Sequence, residues 1–373
     1  MAEKIITLAS LTYMRAQLLS AMLERNGIEC FMTNMNLIKE GPGGVKVKIN
    51  ESDLGKATKI FDDFRESYGH KKIEAVEYMK SIRRILVPVD FTYHSENAAH
   101  YALQVAAELK SDIKLLNAYL DPLATPQSYL ESYAYQLNLD QVISEIEEET
   151  NHSLDAMADR LRKIIKKRNI RGVDVTYDLV KGNSVDAILN YTQEYKPGMI
   201  VMGTRGAEIE GLRSFGSVTA DIIQKSDIPV IAVPKGYDAH EFKPPKRVLY
   251  ATNFDDTDFS ALRRLISFVK PFNSKIFCVH ASLDSYDNFD EIKMRKIKDY
   301  LFKTIETYQI ECGILNTYDL QQGIEGFIRE KEVDVLAVTS QKKTFFQRLF
   351  EPSITRKFLF QTDIPLLVFH ARP

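Results

Sequence analysis

The feature that most constrains the fold is a long-range repeat. RILVPVDF at 84–91 recurs as RVLYATNF at 247–254, and SDIPVIAVP at 226–234 recurs as TDIPLLVFH at 362–370. Between these ends, DIKLLNAY at 112–119 matches SKIFCVHA at 274–281, and GMIVMG at 198–203 matches VDVLAVT at 333–339. A repeated unit of roughly 130 residues is too long for a solenoid unit and reads as a duplicated domain. The matched segments are mostly continuous apolar runs rather than alternating ones, and VDVTYDLV at 173–180 reads as a further strand. Helical patterns separate them, and the one around 143–168 is long. Buried strands alternating with helices indicate a parallel sheet covered on both faces.

The chain has 373 residues, too many for one ordinary core. YGHKKIEAVEYMK at 68–80 and PKGYDAHEFKPPK at 234–246 break the pattern and suit linkers. Three domains are expected: 1–70, 81–236 and 246–373. The first reads βαββα, with strands at KIITLAS, IECFMTN and VKVKIN. Asn50 is placed to cap a last helix with Leu54, Ala57, Phe61 and Phe64 on one face. This small α+β domain has no carboxylate pairs or His/Cys groupings and is read as a regulatory or interaction module. The other two are α/β, each a doubly wound five-stranded parallel sheet of strand order 3-2-1-4-5. They are expected to pack as a pseudo-dimer. Their last strands, 229–233 and 365–369, have strong β propensity and need cover from each other or from a second chain, and a homodimer through these edges is expected.

The charge of −2 makes no electrostatic case for nucleic acid or an anionic membrane. No apolar run approaches a membrane span. MAEKIITLAS turns polar too soon for a signal peptide, so a cytoplasmic protein is expected. Cys30, Cys278 and Cys312 lie in separate segments and read as buried reduced thiols. The histidines form no metal-binding grouping, the acidic run at 145–150 reads as a solvated face, and no hydrolase elbow is present.

In an open doubly wound sheet a ligand binds beyond the carboxyl ends of the strands, where strand order reverses. PVD, ending in Asp90, and GTRGAEIEGLRSFGS at 203–217 converge there. Pro88 fits only at a strand's last turn. Gly206 and Gly211 have Walker A spacing, but Leu212 and Arg213 follow instead of Lys and Ser/Thr. Gly203 and Gly206 let backbone approach a ligand, and Gly216 and Ser217 open a helix whose N-terminus favours an anion. Ser217 and Thr219 add hydroxyl donors. On these grounds alone a phosphate site and an ordinary glycine turn both stand.

The spacing G-2X-G-9X-G-[ST], together with ILVPVDF, the GSVT helix start and DIPVIAVP, resembles the ATP-binding type of universal stress protein over 81–236. The 246–373 segment resembles a diverged copy. GGVKVKINESDLGKA at 43–57 is similar to a small signal-transducing domain family. The resemblance implies roles for named positions. Pro88, Val89 and Asp90 would lie against adenine and ribose, and Ala118 would offer backbone to the adenine. Met202 and Gly203 would line the ribose, and Gly206, Gly216, Ser217, Val218 and Thr219 would hold the phosphates. The implied cofactor is ATP, or ADP or AMP, with Mg2+ riding on the phosphates rather than in a dedicated metal site. Glu208 and Glu210 would oppose a polyphosphate, and Arg205 and Arg213 could offset them. In the second copy Thr339, Lys342 and Pro352 replace the three glycines, and Asn253 replaces Asp90, so that copy is expected not to bind ATP in the same way. The expected function is a stress-response or signalling regulator with one competent nucleotide site and a protein partner docked by the N-terminal module. A slow ATPase, with Asp90 the one apparent base, and a nucleotide-free scaffold are the alternatives.

Overall fold

Some strands of this chain are buried along their whole length. β8 and β13 carry no exposed residue, and β7 only a half-buried one at its end. The computed structural model describes residues 5–11, 13–33, 45–69, 83–120, 139–204, 217–252, 256–282, 294–295, 297–298, 309–340 and 363–370. The chain divides into two compact units, Met1–Val76 and Glu77–Pro373.

The first unit follows the order β1 (Ile5–Leu11), α1 (Tyr13–Arg25), β2 (Cys30–Thr33), β3 (Val45–Asn50), α2 (Leu54–Gly69). Its antiparallel sheet has the order β1-β3-β2. Val45, Val47 and Ile49 alternate inward from β3 and meet Leu19, Leu23, Ala57 and Phe64 from the helices. Gly27 closes α1 at φ 75°, where Ile28 N–H returns to Leu23 O at 2.9 Å. Two expectations change here. Asn50 precedes a 3-10 turn, Glu51–Asp53, and its side chain makes no capping bond. That extra turn rotates Leu54 off the apolar face and leaves it 42% exposed, so the face is Ala57, Phe61 and Phe64.

The second unit runs β4 (Arg84–Pro88), α3 (Tyr93–Leu109), β5 (Asp112–Tyr119), α4 (Leu139–Arg168), β6 (Val175–Lys181), α5 (Ser184–Tyr195), β7 (Met199–Gly203), α6 (Ser217–Lys225), β8 (Val230–Val233). It continues β9 (Arg247–Ala251), α7 (Asp256–Val269), β10 (Lys275–Ser282), β11 (Ile310–Asn316), α8 (Leu320–Lys331), β12 (Val335–Ser340) and β13 (Leu366–His370). All these strands form one ten-stranded sheet of order β11-β10-β9-β12-β13-β8-β7-β4-β5-β6.

Neighbours are parallel except β13 and β8, which pair antiparallel through Leu366↔Ala232, Leu367↔Ile231 and Val368↔Val230. These last-strand edges therefore cover each other. A homodimer through them is corrected to an intramolecular pairing, because each edge has only one side to offer. A single apolar cluster crosses the joint, from Leu86 and Ile200 through Val230 and Ala232 to Leu366, Val368 and Leu336. The His370 ring also bonds Ile223 O at 2.5 Å.

The two halves of the sheet share hydrogen bonds at matched positions. Val89 N–H donates to Leu116 O at 2.8 Å, and Thr252 N–H to Val279 O at 2.9 Å. Gly198 N–H donates to Arg84 O at 2.9 Å, and Asp334 N–H to Arg247 O at 2.8 Å. The Asn117 amide donates to Val89 O, and the His280 ring meets Thr252 O, both at 2.8 Å. The registers place Ile113 opposite Ile85 and Ile276 opposite Val248. This moves the DIKLLNAY–SKIFCVHA match by one residue.

The segment 234–246, expected as a plain linker, is tied down along α3. Asn97 donates to Tyr237 O at 2.5 Å and accepts from Ala239 N–H at 3.0 Å. Gln104 donates to Ala239 O at 2.5 Å and Glu241 O at 2.9 Å, and accepts from Lys243 N–H at 3.3 Å. Both amides are buried, so each satisfies backbone groups that would otherwise lack water. The His240 ring meets the His100 ring at 4.2 Å between centroids, tilted by 51°, where burial first and His240 second push the His100 pKa down.

Candidate functional site

Strand order reverses between β4 and β7, so the crevice of this sheet lies at their carboxyl ends. The β4–β7 ladder pairs Ile85↔Met199 and Leu86↔Ile200 and then stops, although β7 continues to Gly203. Pro88 explains the stop. Val89 N–H points to β5, so by alternation the missing amide of Pro88 faces β7. On the other side β4 stays paired to its end, with Pro88 opposite Leu116. The matched pair β9 and β12 has Ala251 where β4 has Pro88. Its ladder runs two residues further, through Tyr250↔Ala337 and Ala251↔Val338. Buried Tyr250 Oη and Thr339 Oγ1 meet at 2.6 Å across those strands. The first crevice is open where the second is zipped.

Each residue singled out from the sequence has a distinct place. Pro88 and Val89 are buried, and Val89 carries the Leu116 and Asn117 bonds on its backbone. Asp90 is exposed. Its Oδ1 accepts from Thr92 N–H at 3.1 Å and Thr92 Oγ1 at 2.6 Å. Thr92 in turn caps α3 by accepting from Ser95 N–H. Asp90 thus braces a helix start, and Phe91 beside it sits at φ 62°. Ala118 is half-buried in β5 opposite Val180. Met202 is 4% exposed, with its side chain in the core and its backbone paired with Ala232 of β8.

Gly203 is needed by the fold itself. A Cβ there would lie 2.6 Å from His94 O and 2.9 Å from His94 C. The first turn of α3 fills that space, so the missing side chain admits the helix. Thr219, 4% exposed, donates its one hydroxyl proton to Gly203 O at 2.8 Å. The expectation of a free hydroxyl donor at Thr219 is corrected: that proton ties α6 to β7. Val218 is partly buried against the core. Ser217 opens α6. Arg205, Gly206, Gly216 and the residues between the two glycines, including Glu208, Glu210, Gly211 and Arg213, lie outside the described residues, as do Asn253, Lys342 and Pro352.

The sequence reading missed several contacts because they join distant segments. They include His94 against Gly203, the Asn97–Gln104 clamp, and Tyr119 Oη donating to Glu147. The last shows that the acidic run at 145–150 is partly engaged with β5 rather than wholly solvated. Among the described residues no group of three or more His, Cys, Asp or Glu could hold a metal ion.

With this geometry in view, the comparisons with known proteins are specific. Residues 81–234 match the model of the universal stress protein family. That segment is a universal stress protein domain. Universal stress protein YxiE of Bacillus subtilis is 27% identical over 153 residues, 40% of this chain and 97% of that protein. A universal stress protein A family protein of Schizosaccharomyces pombe is 39% identical over 66 residues, which is 17% of this chain and 22% of that protein. A universal stress protein structure from Archaeoglobus fulgidus shares the fold over 77% of this chain and 96% of its own, with TM-score 0.56 and 18% identity. No helix among the described residues is long and apolar enough to cross a membrane.

Proposed function

We propose that the universal stress protein domain binds an adenine nucleotide in the β4–β7 crevice and that the protein acts as a cytoplasmic stress-response regulator. The observation that carries this reading is the ladder that stops at Leu86 and Ile200, beside a matched ladder that does not stop. Among the described residues, the β4-facing side of Gly203 is left outside the β4–β7 ladder at the switch point. The glycine spacing 203, 206, 216 then supplies the phosphate side.

The chain's residues fit such a ligand. Backbone at Pro88–Val89, the exposed Asp90 carboxylate and Ala118 would meet adenine and ribose. Gly206, Gly216, Ser217 and Val218 would hold phosphates, with Mg2+ carried in on them. ATP is the first choice, with ADP or AMP if Glu208 and Glu210 face the phosphates. Asp90 is engaged by Thr92 on one oxygen, which favours positioning over general-base chemistry and so favours a binding protein over an ATPase. The matched half, 246–373, is read as a second, closed copy of the domain. Shared fold along most of one chain of the Archaeoglobus protein supports that tandem reading. The N-terminal unit is assigned the docking of a protein partner.

Calorimetric titration with ATP, ADP and AMP, with and without magnesium chloride, tests the reading. Wild type should bind one nucleotide per chain, and Gly216→Pro, which imitates Pro352 of the other half, should abolish binding while retaining the circular dichroism of wild type. No heat with any of the three, and no nucleotide in the denatured supernatant by mass spectrometry, would sink the proposal.

A further inference from the structure

Two cysteines far apart in sequence are side by side in the sheet. The parallel β10–β11 register pairs Cys278 with Cys312 directly. Register partners in a parallel ladder present their side chains on the same face. Adjacent strands run about 4.8 Å apart, inside the roughly 4.4–6.8 Å Cα separation that a disulfide spans. The two thiols are within hydrogen-bonding reach of each other. Neither is in a disulfide. They differ in access: Cys278 is buried, whereas Cys312 is half-buried on β11, the outermost strand at its end of the sheet.

We propose that Cys278 and Cys312 form a redox-responsive dithiol, which a hydroperoxide converts to a disulfide stapling the edge strand β11 to β10. The chemistry follows from the difference in access. Cys312 thiolate attacks the peroxide, a sulfur–oxygen bond forms, the oxygen–oxygen bond breaks, and hydroxide leaves. The Cys278 sulfur then attacks the Cys312 sulfenic acid. The sulfur–sulfur bond forms, the sulfur–oxygen bond breaks, and the departing hydroxide takes the Cys278 proton as water. The two sulfurs together lose two electrons to the peroxide, and hydrogen peroxide ends as two waters. The hydrogen bond from Cys278, reinforced by nearby Lys298 and opposed by burial and Glu311, pulls the Cys312 pKa down and favours its thiolate. Edge position also matters: among the described strands β11 pairs with β10 alone, so it can shift to accept the link without disturbing a second described ladder.

Cys30 provides an internal comparison. It is half-buried in the other unit, meets Ser20 Oγ at 2.8 Å, and burial pushes its pKa up. The test treats the full chain with stoichiometric hydrogen peroxide, blocks remaining thiols with a maleimide, and maps peptides by mass spectrometry without reduction. A peptide linking Cys278 to Cys312, lighter by two hydrogens and released by dithiothreitol, is expected, with Cys30 still alkylated. The species should remain monomeric on a non-reducing gel. Cys278→Ser should instead leave Cys312 as sulfenic acid, trapped by dimedone, and should lose the link. Sulfinic acid on Cys312 beside an alkylated Cys278 in wild type, or Cys30 reacting first, would overturn the proposal.

Discussion

At Gly203 a Cβ would sit 2.6 Å from the carbonyl oxygen of His94, closer than real contacts allow, and the obstructing atom is backbone in the first turn of α3. Gly203→Ala therefore forces α3 away from β7, at a cost of about 1–3 kcal/mol in the manner of an overpacked core. A lower midpoint in urea, with unchanged slope, is the expected result, and equal stability would contradict it. The same residue shows what was legible at this scale. Its importance stood out from the glycine spacing, but the reason attached to it was ligand approach. The helix contact arises between residues about a hundred positions apart, and no local pattern encodes it. Thr219 teaches the same lesson, since its hydroxyl proton belongs to Gly203 O rather than to a ligand.

Elements were more readable. Strands expected at RILVPVD, DIKLLNAY, GMIVMG and IPVIAVP appear as β4, β5, β7 and β8, because continuous apolar runs bounded by Gly, Pro and Asp carry their own signal. β11 was not singled out: IECGILN mixes a glycine and a cysteine into a half-buried edge. The length of each ladder was not readable. It depends on which neighbour an amide faces, and hence on topology. The open crevice traces to one missing amide, so Pro88→Ala should restore the donor and let the β4–β7 ladder extend as β9–β12 does. The expected outcomes are slower amide exchange at Gly203 and at least tenfold weaker nucleotide binding. Unchanged exchange at that amide would show that Pro88 does not hold the crevice open.

For the whole molecule, the consequential joint is β8 against β13. Val368 is fully buried there, within the cluster that spans both halves of the sheet. A carboxylate at that position would be desolvated without a partner. Val368→Asp should therefore separate the edges and expose both to other chains. Lower thermal stability and concentration-dependent self-association by light scattering are expected. A variant that stays monomeric with an unchanged melting temperature would show that the joint is not what holds the halves together. The clamp of Asn97 and Gln104 on 237–243 works with this joint, since the connecting segment is held on α3 instead of swinging between the halves.

The sequence alone determined the elements that local chemistry dictates. It set the buried strands, the long helix α4, the small βαββα unit and the place along the chain where a nucleotide would be sought. Periodicity, proline and glycine act over a few residues, so they can be read in order. Tertiary structure decided the rest: that the two last strands close on each other, that one crevice opens and its counterpart zips, that Gly203 makes room for a helix, and that Cys278 meets Cys312. Each of these depends on atoms brought together by sheet register, which is fixed only when all ten strands compete for their hydrogen-bonding neighbours.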